Sequence, residues 1–241
     1  MKMHLPGILV LAAAVVTGCT GAQGNTGPMG PSGKNAPTPV YTYNQTFDSN
    51  TYSIGSEWTS LVQNGGGPMT LSLDSTLFVS GSKSFKIKGS AGVDSVVYSN
   101  SGVIPPYTIG DYTLDFYWNP ANVQVPAVTV EAALISNGQA LAALTFATGT
   151  PNTFTVNNGG SPYTLESVSS SPYFHHIVIV YHNTSGLSDY YDDNIMIGQN
   201  INAKATLIFP GEPISCVAFY FPGSLAPTDY FNVDNVEVYH Y

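Results

Sequence analysis

The 241-residue chain has six lysines, no arginine and fifteen acidic residues, so its formal net charge at neutral pH is −9. This charge repels nucleic-acid phosphates and anionic lipid headgroups, which argues against nucleic-acid binding and against attachment to membranes by charge. Charged residues make up only 9% of the chain, while 16 tyrosines and 11 phenylalanines favour strands over helices. We therefore expect an all-β protein with an uncharged polar surface.

The N-terminal segment predicts export and a lipid anchor. Lys2 precedes an apolar run from Leu5 to Val16, which is too short for a membrane-spanning helix of about 20 residues and is typical of a secretory signal peptide. The run ends in Val-Thr-Gly-Cys19, which resembles the bacterial lipobox. This resemblance implies that residues 1–18 are a lipoprotein signal peptide and that the sulfur of Cys19 carries a lipid. The alternative is an ordinary signal peptide cut nearby, which leaves Cys19 as a free thiol. Because Thr20 rather than aspartate follows, we expect the outer membrane or the cell surface as the location.

Residues 19–39 predict an extended tether. Glycine occupies every third position from Gly18 to Gly33, which is the spacing of the collagen triple helix. Two interpretations are open: a short triple helix that forms a homotrimer, or an extended hydrated chain. The segment is short and only Pro28 and Pro31 support a triple helix, which favours the second interpretation. At about 3.1 Å per residue, such a tether holds the next domain roughly 60 Å from the membrane.

Residues 40–241 predict one domain of strands. Short runs of β-branched and aromatic residues alternate with Gly, Pro and Asn turn signals, and no long amphipathic helical pattern appears. In Asp111–Trp118, alternate residues ending at Trp118 are apolar, which predicts this tryptophan in the core. His175–His182 is apolar on both faces, and Cys216 lies in an apolar run that predicts a buried, inert thiol. A dozen or more antiparallel strands in a domain of this size pack as two sheets, so we predict an all-β, two-sheet antiparallel jelly-roll sandwich.

Several runs resemble strands of laminin-G-like domains, which belong to the concanavalin A-like lectin and glucanase jelly rolls. Gly110–Pro120 resembles their strand ending in tryptophan, lysine and proline, and Tyr173–Tyr181 resembles their tryptophan-histidine-histidine strand with Phe174 in place of tryptophan. Ser80–Phe85 and Phe231–Tyr239 resemble an early strand and the closing strand. The order of these matches implies a concanavalin A-like jelly roll and a function in glycan or protein recognition.

The sequence lacks the carboxylate pattern of glycan-cleaving jelly rolls, which place two or three acids on one face of a strand. Asp111 and Asp115 share a face without a third acid, while Asp234 and Glu237 are three residues apart and are therefore expected on opposite faces. The sequence contains no Gly-x-Ser-x-Gly elbow, no His-Glu-x-x-His motif and no phosphate-binding loop. We therefore predict that the protein is not an enzyme.

Calcium is the metal that the acidic residues favour. In many carbohydrate-binding jelly rolls, acids from the first and last strands meet at one sheet edge, and this resemblance implies a structural calcium site at Asp48 and Asp234. The alternative is that Asp48 caps a turn and Asp234 accepts backbone hydrogen bonds.

His175 and His176 point to opposite faces, so they are not expected to bind one zinc ion together. The run at residues 192–194 predicts a hairpin turn.

Glycan recognition uses exposed aromatic rings beside hydrogen-bonding acids and amides. By strand alternation or loop position, the candidates are Trp58, Asp115, Tyr117 and Tyr190. We therefore predict a lipid-anchored surface protein whose β-sandwich is a non-catalytic module that recognises a glycan or an extracellular protein. Two alternatives are a trimerising appendage or coat subunit, and a degenerate glycan hydrolase.

Overall fold

The computed structural model describes residues 38–49, 56–62, 67, 69–89, 94–100, 110–120, 129–136, 138–147, 152–158, 161–168, 173–202, 215–221 and 226–241. The signal peptide, Cys19, nearly all of the tether and a strand expected at residues 203–209 lie outside the described residues, so they remain predictions. Within the described ranges, no helix has the length and apolar character needed to cross a membrane.

The described chain folds into strands separated by turns. The strands are β1 (Val40–Gln45), β2 (Trp58–Val62), β3 (Thr70–Asp74), β4 (Ser84–Lys88), β5 (Ser95–Ser99), β6 (Tyr112–Asn119), β7 (Thr129–Ser136), β8 (Gln139–Ala147), β9 (Asn152–Asn158), β10 (Ser161–Val168), β11 (His175–His182), β12 (Leu187–Asp192), β13 (Ile195–Ile201), β14 (Cys216–Phe221) and β15 (Tyr230–His240).

These strands form two antiparallel sheets packed as a sandwich, which confirms the predicted all-β fold class. The larger sheet has the order β13-β12-β11-β6-β15-β4-β3, and β1 pairs with the second half of β15. The smaller sheet has the order β10-β9-β8-β7-β14-β5-β2. The central strands β6 and β15 of the larger sheet come from distant parts of the sequence, so side chains far apart in the chain meet on their faces.

Aromatic side chains from both sheets fill the space between them. Trp118 of β6 is 2% exposed and contacts Phe146 of β8, with ring centroids 4.8 Å apart, and Phe231 of β15, at 6.4 Å. Leu114 and Phe116, on the same face of β6, are also buried, while Asp115 and Tyr117 on the other face are partly exposed. The prediction that Trp118 is a core residue is confirmed.

The outer face of the smaller sheet is also apolar and buried in the folded chain. Its cluster lies on β5, β7, β8 and β14 and comprises Val96, Tyr98, Ala133, Ile135, Ala143, Cys216, Ala218 and Tyr220. The side chain of Cys216 is fully buried, as predicted. The outer face of the larger sheet instead carries acids, histidines and tyrosines, and the candidate site lies there.

Strand β10 was not predicted from the sequence. It begins Ser-Pro-Tyr, and Pro162 has no backbone N–H to donate to a neighbouring strand. Among the described strands, β10 pairs with β9 and lies at the edge of the smaller sheet, a position in which strands tolerate proline.

Candidate functional site

Alternation along three adjacent strands places acids and aromatic rings on the outer face of the larger sheet. Asp115 of β6 lies directly opposite Glu237 of β15, and Tyr117 lies directly opposite His176 of β11. Tyr239 follows on the same face of β15 and pairs with β1. We call this set, Asp115, Tyr117, His176, Glu237 and Tyr239, the acidic-aromatic face.

The centre of the acidic-aromatic face is a stacked and hydrogen-bonded pair of rings. The rings of Tyr117 and His176 are nearly parallel, with an interplanar angle of 6° and centroids 4.3 Å apart. The Nε2 atom of His176 lies 2.8 Å from Oδ1 of Asp115. Partial burial lowers the pKa of His176, but the hydrogen bond and charge of Asp115 outweigh this effect and raise it. Both rings are therefore held in place by contacts already made within the sheet.

Two carboxyl groups face each other beside these rings. Burial raises the pKa of Glu237, and the negative charge of Asp115 on the adjacent strand raises it further. Asn44 of β1 donates a hydrogen bond of 3.0 Å from its Nδ2 to Oε1 of Glu237. Such a pair offers hydrogen-bond acceptors and a carboxyl group that takes up a proton more readily than usual.

Tyrosines extend the face toward the sheet edge. The ring centroid of Tyr239 lies 5.4 Å from that of Tyr41 on β1 and 5.8 Å from that of Tyr241. Tyr41 and Tyr241 are each about half exposed. Burial raises the pKa of the Tyr239 hydroxyl, and the nearby charge of Asp115 raises it further, so this hydroxyl remains a proton donor at neutral pH.

A β-bulge puts Glu237 on this face and corrects a prediction. Asp234 and Glu237 were expected on opposite faces, but the register shifts between them, and Asn235 there has a φ of 48°. The extra residue resets the alternation, so Asp234 lies opposite Tyr117 while Glu237 lies opposite Asp115. Both acids therefore lie on the outer side of the larger sheet, and the expectation of opposite faces is wrong.

Of the four residues predicted to bind a ligand, the structure places two on the face and two in the core. Asp115 and Tyr117 lie on the acidic-aromatic face. Trp58 is fully buried and stacks on Phe219, with centroids 5.9 Å apart. Tyr190 is also fully buried, and its hydroxyl donates a 3.1 Å hydrogen bond to the carbonyl oxygen of Ala143. The expectation that Trp58 and Tyr190 present exposed rings is therefore wrong.

Sequence reasoning did not select His176, Glu237 or Tyr239 as ligand-binding residues. The alternation of β11 separates His176 from His175, but the position of His176 beside Asp115 depends on the pairing of β11 with β6, which the sequence does not show. Glu237 also had no signal, because its orientation depends on the bulge.

Asp48 and Asp234 meet at one loop, as their predicted calcium site requires. Asp234 accepts hydrogen bonds from the backbone N–H groups of Val79, at 2.8 Å, and Ser80, at 3.3 Å. Asp48 accepts hydrogen bonds from the N–H groups of Ser82 and Lys83. Burial raises the pKa of Asp234, and the charge of Asp48 adds to this effect although the amide donors oppose it.

These contacts match the alternative interpretation, in which the acids satisfy backbone N–H groups. A calcium ion needs several oxygen ligands directed at one point. Three amide donors already engage Asp234, two at Oδ2 and that of Asn235 at Oδ1, while two engage Oδ1 of Asp48. Calcium binding by Asp48 and Asp234 therefore remains a prediction.

His182, at the far end of β11, lies between two acids. Its Nδ1 is 2.8 Å from Oδ2 of Asp111, and its Nε2 is 3.1 Å from Oδ2 of Asp189. Partial burial lowers the pKa of His182, but the hydrogen bonds to Asp111 and Asp189 outweigh it and raise the pKa. Both ring nitrogens thus face acceptors, which favours the protonated ring.

We expect His182 to make the stability of the protein depend on pH. Because its pKa is raised in the folded state, its contribution is fully present below the unfolded pKa of about 6.5 and is lost as pH rises through the folded pKa. Replacing His182 with glutamine should therefore lower the free energy of unfolding more at pH 5.5 than at pH 8.5. Urea unfolding of both proteins at the two pH values measures this difference, and an equal loss at both would contradict the assignment.

Comparisons with known proteins establish the fold. No protein-family model matches the chain, and no curated protein is similar to it in sequence. Among solved structures, a carbohydrate esterase from the Shiga toxin-encoding bacteriophage phi24B has a TM-score of 0.58 at 12% identity, covering 84% of this chain and 99% of that one. The cellulose induced protein Cip1 has a TM-score of 0.53 at 14% identity, covering 81% and 96%.

A third similar structure is an endo-β-1,4-glucuronan lyase from the fungus Trichoderma reesei, with a TM-score of 0.53 at 11% identity, covering 84% of this chain and 96% of that one. At such low identities the similarity concerns the fold and not the activity. The chain therefore has the jelly-roll fold of these proteins, two antiparallel sheets packed as a sandwich.

Proposed function

We propose that this protein is a surface-anchored, non-catalytic module that binds glycans on the acidic-aromatic face, with the lipid on Cys19 as its anchor. The observation that carries this proposal is the parallel stack of Tyr117 and His176 beside Asp115 and Glu237. Aromatic faces pack on the apolar side of sugar rings, while carboxylates accept hydrogen bonds from sugar hydroxyls. The site is largely preformed, so little side-chain ordering opposes binding.

The size and charge of the face indicate the class of glycan. From Tyr41 on β1 to His176 on β11 it crosses four adjacent strands, about 14 Å, which suits an oligosaccharide. Asp115 and Glu237 lie within the face, and strands β1, β6, β11 and β15 carry no lysine. Acidic glycans would be repelled, so neutral or amino-bearing glycans are the proposed ligands.

A glycan array that includes neutral, amino-bearing and uronate-containing oligosaccharides tests this proposal. The full-length protein, solubilised in detergent, should bind members of the first two groups, with and without a calcium chelator. Binding confined to uronate or sulfated glycans, or no glycan binding, would contradict the proposal.

Replacing Tyr117 with alanine should weaken binding of the best array ligand by about tenfold, equivalent to about 1.4 kcal/mol, because the stacked ring is lost. Tyr163 is a matched control, since it is 53% exposed but lies on β10 of the other sheet. Its replacement with alanine should leave the affinity unchanged. Calorimetric titration of the three proteins measures the effect, and equal affinities for all three would rule out this face.

The pair Asp115 and Glu237 favours glycan hydrolysis as a second candidate function. Glycosidases use a protonated acid and an ionised carboxylate near each other. The raised pKa of Glu237, due to burial and to the charge of Asp115, suits the acid, and the two residues are directly opposed across β6 and β15. Release of reducing ends from the bound glycan, abolished by Glu237→Gln, would support hydrolysis, whereas intact glycan after prolonged incubation would exclude it.

A further inference from the structure

A second cluster of metal-ligating groups lies at the end of the hairpin formed by β12 and β13. It consists of His175, the first residue of β11, Asp192, the last residue of β12, and Asp193 in the following turn. One ligand atom from each lies within 4.8 Å of the other two. The Nδ1 atom of His175 is 3.2 Å from Oδ1 of Asp192 and 3.9 Å from Oδ2 of Asp193. This cluster is separate from the acidic-aromatic face because His175 and His176 point to opposite sides of the sheet.

The burial of these groups is unusual for a solvated acidic turn. The side chains of His175 and Asp192 are 7% and 8% exposed, while that of Asp193 is 58% exposed. Two ligands thus lie in the protein interior beside Phe154, whose ring centroid is 6.0 Å from that of His175. The third residue, Asp193, is exposed to solvent. The cluster therefore has two buried groups and one group that an ion in solution can reach.

The hairpin holds Asp193 with one oxygen directed at His175. Oδ1 of Asp193 accepts a 3.0 Å hydrogen bond from the backbone N–H of His176, and the N–H of Asp193 donates to the carbonyl oxygen of His176 at 2.9 Å. Oδ2 is therefore the oxygen that approaches His175. Hydrogen bonds of this kind orient ligands in metal sites, because they fix a carboxylate without occupying the oxygen that binds the ion.

The next residue in the turn supplies an independent observation. The side-chain oxygen of Asn194 is buried, and the part of the chain that the structure describes offers it no hydrogen-bond partner. A buried acceptor without a partner destabilises the folded protein. Because Asn194 directly follows Asp193, a water molecule bound to a cation at this turn would give that oxygen a partner.

We propose that His175, Asp192 and Asp193 bind a divalent first-row transition metal of the zinc class. An imidazole nitrogen among the ligands favours such an ion over calcium or magnesium, which prefer oxygen alone. Metal–ligand distances of about 2.0–2.2 Å require ligand atoms roughly 3–3.6 Å apart. The separation of 3.2 Å between His175 and Asp192 already fits, and that of 3.9 Å between His175 and Asp193 must shorten by a few tenths of an ångström. The ligand oxygens of the two aspartates lie within 4.8 Å of each other and would move together on the ion. The ion would link the start of β11 to the β12–β13 turn, with water completing its coordination.

Titration with Co²⁺ and Zn²⁺ tests this site in the full-length, chelator-treated protein at pH 7. The expected result is saturable binding of one ion per chain, with the visible absorption of low-coordinate Co²⁺, which Zn²⁺ displaces. Asp193→Asn should weaken Co²⁺ binding at least tenfold, and Asp192→Asn should do the same. Asn tolerates the left-handed conformation of residue 193, where φ is 49°, so the first variant should fold normally, as near-ultraviolet circular dichroism will verify.

Asp111→Asn is the matched control, because it removes an acid from a different histidine–acid group of β11, at His182. It should leave the metal affinity unchanged. Absence of one-to-one binding in the wild-type protein would overturn the proposal. Equal affinity in Asp193→Asn, or loss of affinity in Asp111→Asn, would also overturn it by placing the ion elsewhere. None of these results depends on glycan binding, so this test is independent of the proposed function.

Discussion

Replacing Trp118 with alanine is expected to lower the free energy of unfolding by about 3–5 kcal/mol. This ring belongs to β6 of the larger sheet but packs on Phe146 and Phe154 of the smaller sheet, with centroid distances of 4.8 and 6.2 Å. Its removal therefore leaves a cavity between the sheets that neither sheet can fill without moving relative to the other. Urea unfolding followed by circular dichroism measures the loss.

Phenylalanine at the same position is the control for ring packing. The indole N–H of Trp118 is buried and has no hydrogen-bond partner among the described residues, so phenylalanine removes an unsatisfied donor while it keeps most of the aromatic surface. We expect Trp118→Phe to lower the free energy of unfolding by less than about 1.5 kcal/mol. If both substitutions lowered it equally, the packing between the two sheets would not be the source of the stability.

Replacing Gly81 with alanine is expected to lower the free energy of unfolding by about 2–4 kcal/mol, through two effects that add. Gly81 has a φ of +66°, which is strained for any residue with a Cβ atom. A Cβ atom there would also lie 1.8 Å from Oδ2 of Asp48. The carboxylate of Asp48 would have to move away, and the N–H groups of Ser82 and Lys83 would then lose their acceptor.

Gly138 separates the two effects. It has nearly the same φ, +68°, but a Cβ atom there would meet no atom of the described residues within 4 Å. Gly138→Ala should therefore lower the free energy of unfolding by only about 1 kcal/mol, from backbone strain alone. Thermal unfolding of both variants gives the comparison. Similar losses would show that the contact between Asp48 and the loop around Gly81 contributes little.

The fold class could be predicted because apolar and polar residues alternate regularly along the strands, and this alternation is visible in the sequence. The apolar positions of β6 that end at Trp118 are those that the structure buries. The turn at residues 192–194 was also predicted correctly, since Asp193 and Asn194 both have positive φ, as a tight hairpin turn requires. Strand β10 was missed because Pro162 weakens the local strand signal, and only its edge position, a property of the whole sheet, permits it.

The candidate site was only half predictable because it is assembled across strands. Asp115 and Tyr117 follow from the alternation of β6, whereas Glu237 reaches the same face only through the bulge at Asn235. Trp58 was misplaced because β2 begins at this residue, so no preceding alternation indicated which way the ring points. Contacts such as that between His176 and Asp115 join residues far apart in the sequence, which spacing rules within one strand cannot detect.

The most direct test of glycan binding on the acidic-aromatic face is the mapping of NMR chemical shifts during titration of the labelled protein with its best array ligand. We predict that the largest amide shifts fall on β6, β11 and β15, around Tyr117, His176 and Glu237. The amides of β7, β8 and β14 should shift little, because the outer face of that sheet is buried and apolar. Largest shifts on the smaller sheet, with β6, β11 and β15 unaffected, would contradict the central claim.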